Sequence, residues 1–136
     1  MFLENAFISW KSKKQDQISK SSTESEYRAM SSACSEIVWF QGLLRELGFS
    51  QHTPTPLHAN NTSATQIATN PVFHERTKHI EVDYHYICEA LDHNILTLPY
   101  ISTEHHTADV FMKALSRLRH QLMIDKLMLL DRPTSI

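Results

Sequence analysis

Only two glycines, Gly42 and Gly48, occur in 136 residues, so tight turns must be made by Asn, Asp, Ser and Pro. Cysteine is equally scarce. Cys34 and Cys88 lie far apart and match no paired metal spacing. Two buried free thiols in a reduced intracellular compartment, cytoplasmic or nuclear, are the plain expectation, with a single disulfide left open. No apolar run approaches the roughly 20 residues that a membrane helix needs. The first twenty residues carry four lysines and no long apolar core, so neither a secretory signal nor a membrane partner is expected. Internal repeats and low-complexity segments are absent as well.

Charge of one sign is also lacking. The formal net charge is −2 with nine histidines counted neutral, whereas a dedicated nucleic-acid binder is usually basic. The distribution is more permissive than the total. Lys11, Lys13, Lys14 and Lys20 cluster, and basic residues recur at Lys113, Arg117, Arg119 and Lys126. Such clusters can contact phosphates, although solvated faces are the commoner explanation.

What is present suits one globular domain over residues 1–136. With 41% hydrophobic and 21% charged residues, the chain can build a single core. Ala6 to Trp10 is apolar and strand-like, and is expected to pair with whatever precedes it. Ser21-Ser22-Thr23 is a helix start signal, because Ser21 with Glu24, or Thr23 with Glu26, makes a capping-box pattern. Tyr27, Met30, Cys34, Ile37, Val38, Leu44 and Leu47 then recur at helical spacing on one face, and Gly48 sits where a C-cap glycine belongs. Leu57-His58-Ala59 reads as a buried strand after Pro54 and Pro56. A short helix follows Asn60-Asn61 and stops at Asn70-Pro71. A second long helix is expected from Thr77 to about Leu91, a strand from Ile95 to Ile101, and a last helix from near Thr107 to Leu130 with a break near Ser116. That order implies an α/β layer fold with part of its sheet parallel.

In such folds ligands sit beyond strand ends, which singles out three positions. Glu26 is placed in the first turn of the long helix, Asn60 directly after the buried strand, and Asp109 in the first turn of the last helix. Carboxylates converging on one rim would suit magnesium, a hard ion that prefers oxygen ligands. Spacing alone favours a plainer reading of Glu26 and Asp109, namely capping and compensation of the helix dipole.

Five blocks of sequence, in order, carry a resemblance. They are ISWKSKKQ, SSTESEYRAM, PLHANNTSA, NPVFHERTKHIEVDYHYI and ISTEHHTADVFMKAL. Together they resemble the ribonuclease H domain of copia-type retrotransposon Pol polyproteins, over Phe7 to Leu130. The resemblance implies a ribonuclease H-like mixed sheet flanked by helices. It also implies hydrolysis of the RNA strand of an RNA–DNA hybrid by four carboxylates around two magnesium (or manganese) ions. It places the domain beside a reverse transcriptase segment. The family's helix glutamate falls on Glu26 and its C-terminal aspartate on Asp109. Its strand-end aspartate falls on Asn60, an amide without the charge. Its first aspartate lies on the central strand, upstream of Met1, so a fold lacking that strand is expected. With two of four ligands gone, the resemblance implies a remnant without activity. The alternative is a non-catalytic structural or nucleic-acid-binding module attached to the reverse transcriptase.

Other candidates carry less. His74, His79, His85 and Cys88 invite a zinc site, but His79 and His85 are six apart, off the spacing by which helical ligands share a face. The resemblance suggests instead that these two histidines pack or orient their helix. His105 and His106 read as solvated loop residues in preference to a proton-transfer histidine. Asp83 and Cys88 occupy positions more often basic in the family, which weakens any phosphate-contacting face there. Trp10 and Trp39 are expected in the core, not stacked on bases.

Overall fold

A computed structural model describes residues 1–3, 6–8, 16, 18–49, 51–70 and 81–127. The chain divides into two compact units, one of residues 18–102 and the other of residues 1–17 with 103–136. Among the described residues the architecture is mixed α/β, with four α-helices, a short parallel strand pair and a short antiparallel pair.

The larger unit is organised by α1, Ser22–Glu46. Of the two start signals, Ser21 with Glu24 is the one used. Ser21 adopts extended backbone, and its Oγ accepts the Glu24 N–H at 3.1 Å. Glu24 reaches back to accept the Lys20 N–H at 2.8 Å and pairs with Arg28 at 2.7 Å. The other end closes as a Schellman motif: the Phe49 N–H donates to Leu44 O at 2.8 Å and the Gly48 N–H to Arg45 O at 3.0 Å. Gly48 has φ +86°, the left-handed conformation that the motif requires and glycine adopts without strain.

After α1 the chain enters β3, Thr55–Pro56, which pairs in parallel with β4, Leu96–Thr97. Bonds from Leu57 N to Thr97 O, 2.8 Å, and from Ile101 N to Ala59 O, 3.0 Å, carry the pairing onward. The pairing reaches a bridge between Ala59 and Tyr100, but the strand expected at Leu57–Ala59 begins earlier, at Thr55, and the one expected over Ile95–Ile101 is regular only at Leu96–Thr97. Parallel strands need a crossover, and two helices supply it. The first, α2, Thr62–Thr69, is capped by Asn61, whose side chain accepts the Ala64 N–H at 3.0 Å. The second is α3, Glu81–Asp92, followed by a turn at Asn94. There Asn94 takes φ +53° in a second Schellman turn, Ile95 N to Ala90 O at 2.9 Å and Asn94 N to Leu91 O at 3.0 Å. An asparagine thus does what the chain has too few glycines to do. The expected start of this helix at Thr77 lies outside the described residues.

Tyr27, Met30 and Cys34 of α1 pack with Ala64 and Ala68 of α2, Tyr84 and Ile87 of α3, and Ala59 and Leu96 of the strands. The small alanines of α2 let the helix lie close to its neighbours. One polar staple crosses this packing: Gln41 Nε2 donates to Thr55 Oγ1 at 2.8 Å and to Ile95 O at 3.1 Å. The apolar face of α1 runs out before its end, with Leu47 exposed. Trp39, expected in the core, is 64% exposed. It follows Cys34 by five residues, roughly 140° around a helix of 3.6 residues per turn, and so faces away from the buried stripe.

In the smaller unit, β1, Phe2–Leu3, pairs antiparallel with β2, Ala6–Phe7, so the strand-like segment pairs with what precedes it. Trp10 and Lys11 lie outside the described residues. The expected final helix is two pieces, a 3-10 turn, Thr107–Phe111, and α4, Arg117–Leu127, with the break where it was expected. Met123 and Leu127 are its buried residues.

Candidate functional site

Glu26 and Asn60 belong to the larger unit and Asp109 to the smaller. Glu26 lies in the second turn of its helix and not the first, because Ser21 is the cap and Glu24 fills the first turn. The division of labour between the two glutamates is clear. Glu24 is tied to Lys20 and Arg28, whereas Glu26 is half-buried and its carboxylate makes no hydrogen bond or ion pair among the described residues. Its neighbour Tyr27 is fully buried with no partner for its hydroxyl there, and burial pushes that phenol well above its ordinary pKa.

Asn60 stands directly beyond the parallel pair, as expected. Ala59 before it is buried and closes the ladder to Ile101, and Asn61 after it caps α2. Tyr27 and Ala59 share one buried cluster, so the segments bearing Glu26 and Asn60 are parts of one packed body.

Asp109 is the most constrained of the three. Its side chain is 4% exposed, and both carboxylate oxygens face basic groups. Oδ1 lies 3.0 Å from Lys113 Nζ and 3.1 Å from His106 Nδ1, and Oδ2 lies 3.4 Å from Arg119. Arg119 also donates to Thr103 O. The backbone winds around the same residue: Asp109 N–H donates to His106 O at 3.1 Å, and Asp109 O accepts from Lys113 N at 2.9 Å. Burial by itself would raise the carboxyl pKa, but Lys113 and His106 outweigh it and hold Asp109 below the usual carboxylate value. His106, expected to be a solvated loop residue, is half-buried against Asp109. Its position three residues before Asp109 was the available signal.

Taken each in its own unit, Asn60 and Asp109 do not offer the donors that a divalent ion needs. Magnesium takes several hard oxygen ligands. Asn60 offers a neutral amide, and the Asp109 carboxylate is surrounded by two permanent cations and an imidazole. Within each unit, no three His, Cys, Asp or Glu side chains among the described residues group as a metal site. His79 and His74 of the zinc alternative lie outside the described residues, and Cys34 and Cys88 are both free. No helix among the described residues is long and apolar enough to cross a membrane.

No family model and no solved structure matches the chain. Curated sequences do. A retrovirus-related Pol polyprotein from transposon RE2 of Arabidopsis thaliana is 41% identical over 94% of this chain. One from transposon RE1 of the same plant is 42% identical over 88%, and one from transposon TNT 1-94 of Nicotiana tabacum is 37% identical over 85%. The chain is homologous to a stretch of transposon Pol polyproteins. That stretch is short: the chain spans 9%, 8% and 9% of these relatives' lengths. Glu26, Asn60 and Asp109 therefore lie in a chain similar to one short stretch of those polyproteins.

Proposed function

We propose that this polyprotein segment is a ribonuclease H domain, descended from an enzyme that cuts the RNA strand of RNA–DNA hybrids, and that the copy itself does not cut. The observation that supports the descent is the 41% identity to a Pol polyprotein across 94% of the chain, together with the five ribonuclease H-like blocks in this sequence. In this reading Glu26, Asp109 and the position of Asn60 mark where such enzymes hold magnesium or manganese. The parallel pair with a two-helix crossover and a polar residue at the strand end is consistent with that fold.

Asn60 supports the loss of activity. A transition state of phosphodiester cleavage gathers negative charge and needs closely spaced metal ions, and those ions need anionic ligands. Loss of a single electrostatic stabiliser costs about 10²–10³ in rate, and a ligand contacting the metal matters at least as much. A second reading, a non-catalytic module beside a reverse transcriptase that binds the hybrid or supports its neighbour, is favoured by the basic surroundings of Asp109.

The test is a hybrid-cleavage assay with magnesium or manganese. It compares the chain as it stands with a variant carrying Asn60→Asp and an N-terminal extension that supplies the family's first strand. No cleavage by the unmodified chain is expected, and cleavage by the restored protein alone would support the descent. Cleavage by the unmodified chain, abolished by Glu26→Gln, would overturn the inactive reading. Two folded but inert proteins would leave the binding module as the function.

A further inference from the structure

We propose that Asp109 is the counter-ion of a self-contained ionic clasp, in which Lys113 and Arg119 supply the positive charge that a divalent ion supplies elsewhere, so that this carboxylate fastens the chain and takes up no metal. The clasp joins three stretches of one unit. Thr103 and Arg119 are tied through a backbone oxygen, Arg119 faces Asp109 Oδ2 at 3.4 Å, and Lys113 grips Oδ1 at 3.0 Å. The 3-10 turn is thereby fixed to the first turn of α4.

Three observations carry this. Geometry comes first: both oxygens are engaged, and the side chain is 4% exposed. Charge comes second: two permanent cations against one carboxylate leave the cluster net positive before any ion arrives, which repels a divalent cation. Construction comes third: the turn that presents Asp109 also presents two of its partners, His106 and Lys113, through bonds between their own backbones. The Arg119 Nε atom is buried with no partner among the described residues, a cost that the guanidinium sustains because its Nη2 holds Thr103 and Asp109. The significance for metal binding rests on reading Asp109 as the family's aspartate; the clasp itself does not.

The experiment uses the full chain, Asp109→Asn, Lys113→Met and the double variant. Thermal midpoints are recorded in chelator and in excess manganese or magnesium chloride, and paramagnetic broadening by manganese is followed by NMR at the Asp109 amide. Both single variants are expected to lower the midpoint by several degrees, and the double to fall by less than their sum, because they break one interaction. Manganese is expected to shift the parent and Asp109→Asn equally and to leave the Asp109 amide sharp. A midpoint raised by manganese in the parent but not in Asp109→Asn would overturn the proposal, as would an unchanged midpoint in Lys113→Met. Should Asp109→Asn fail to fold, the parent and Lys113→Met spectra decide: a sharp Asp109 amide in the parent supports the clasp, and broadening there sinks it. Hybrid binding, read in chelator by fluorescence anisotropy, tests the ribonuclease H reading separately.

Discussion

Cys34 has 0% exposure between α1 and its neighbours, and burial pushes its thiol from 9.0 up to about 11. The neutral thiol is thus the folded form well past the point where an unfolded cysteine ionises. Above pH 9.0 the unfolded chain loses a proton that the folded chain keeps until about pH 11, so stability falls with rising pH across that window. Urea midpoints measured from neutral to alkaline pH should show the decline, and Cys34→Ala should lessen it, leaving the part that the buried Tyr27 phenol adds above pH 10.0. At neutral pH the same burial predicts slow alkylation by iodoacetamide, because the thiolate is the nucleophile. Residues of this kind were legible in sequence, since Cys34 lies in phase with Tyr27 and Ile37. Trp39 was not. An aromatic side chain has so large an apolar area that burial is the default expectation, yet the register of the helix decides its side, and the register places it outward.

At the scale of the element, the two glycines make opposite predictions. Gly42 lies within α1, and a Cβ there would meet nothing within 4 Å. Gly42→Ala should therefore stabilise the protein by about 0.5–1 kcal/mol through helix propensity. Gly48 has equal space but φ +86°, so Gly48→Ala should destabilise by about 1 kcal/mol through backbone strain alone. Thermal or urea unfolding of the pair would show shifts of opposite sign; shifts of the same sign would deny the Schellman ending. Removing the N-cap with Ser21→Ala should cost about 1 kcal/mol on the same scale. These termini were readable because capping chemistry is local: a serine, a glutamate three residues on and a glycine suffice. The Gln41 staple to Thr55 and Ile95 was unreadable, because it joins residues 14 and 54 positions apart in the chain, and no local pattern encodes which polar side chain will meet a strand.

For the whole molecule, legibility divides along the same line. The order of elements and the parallel pair followed from periodicity and punctuation. Asn60 follows the strand as expected, whereas Asp109, expected in the first turn of the last helix, lies in the 3-10 turn before it, and the chemistry around it was missed: Arg119 arrives from ten residues away, and the composition gives no sign that two cations will converge on one carboxylate. The larger unit, by contrast, depends on a core whose members are spread from Tyr27 to Leu96. Ile87 is among its most buried side chains, in one cluster with residues of α1, α2 and β4. Ile87→Ala deletes apolar volume where the surroundings are already committed to one another, so the cost should be about 2–5 kcal/mol. Because the same cluster holds the segments bearing Glu26 and Asn60, the loss should spread through the unit and not stay on α3. Hydrogen exchange of Ile87→Ala should then show amides of α1, α2 and the β3–β4 pair losing protection by a common factor. A loss confined to Glu81–Asp92 would mean that the crossover helix opens independently, and that the strand end bearing Asn60 is held without it.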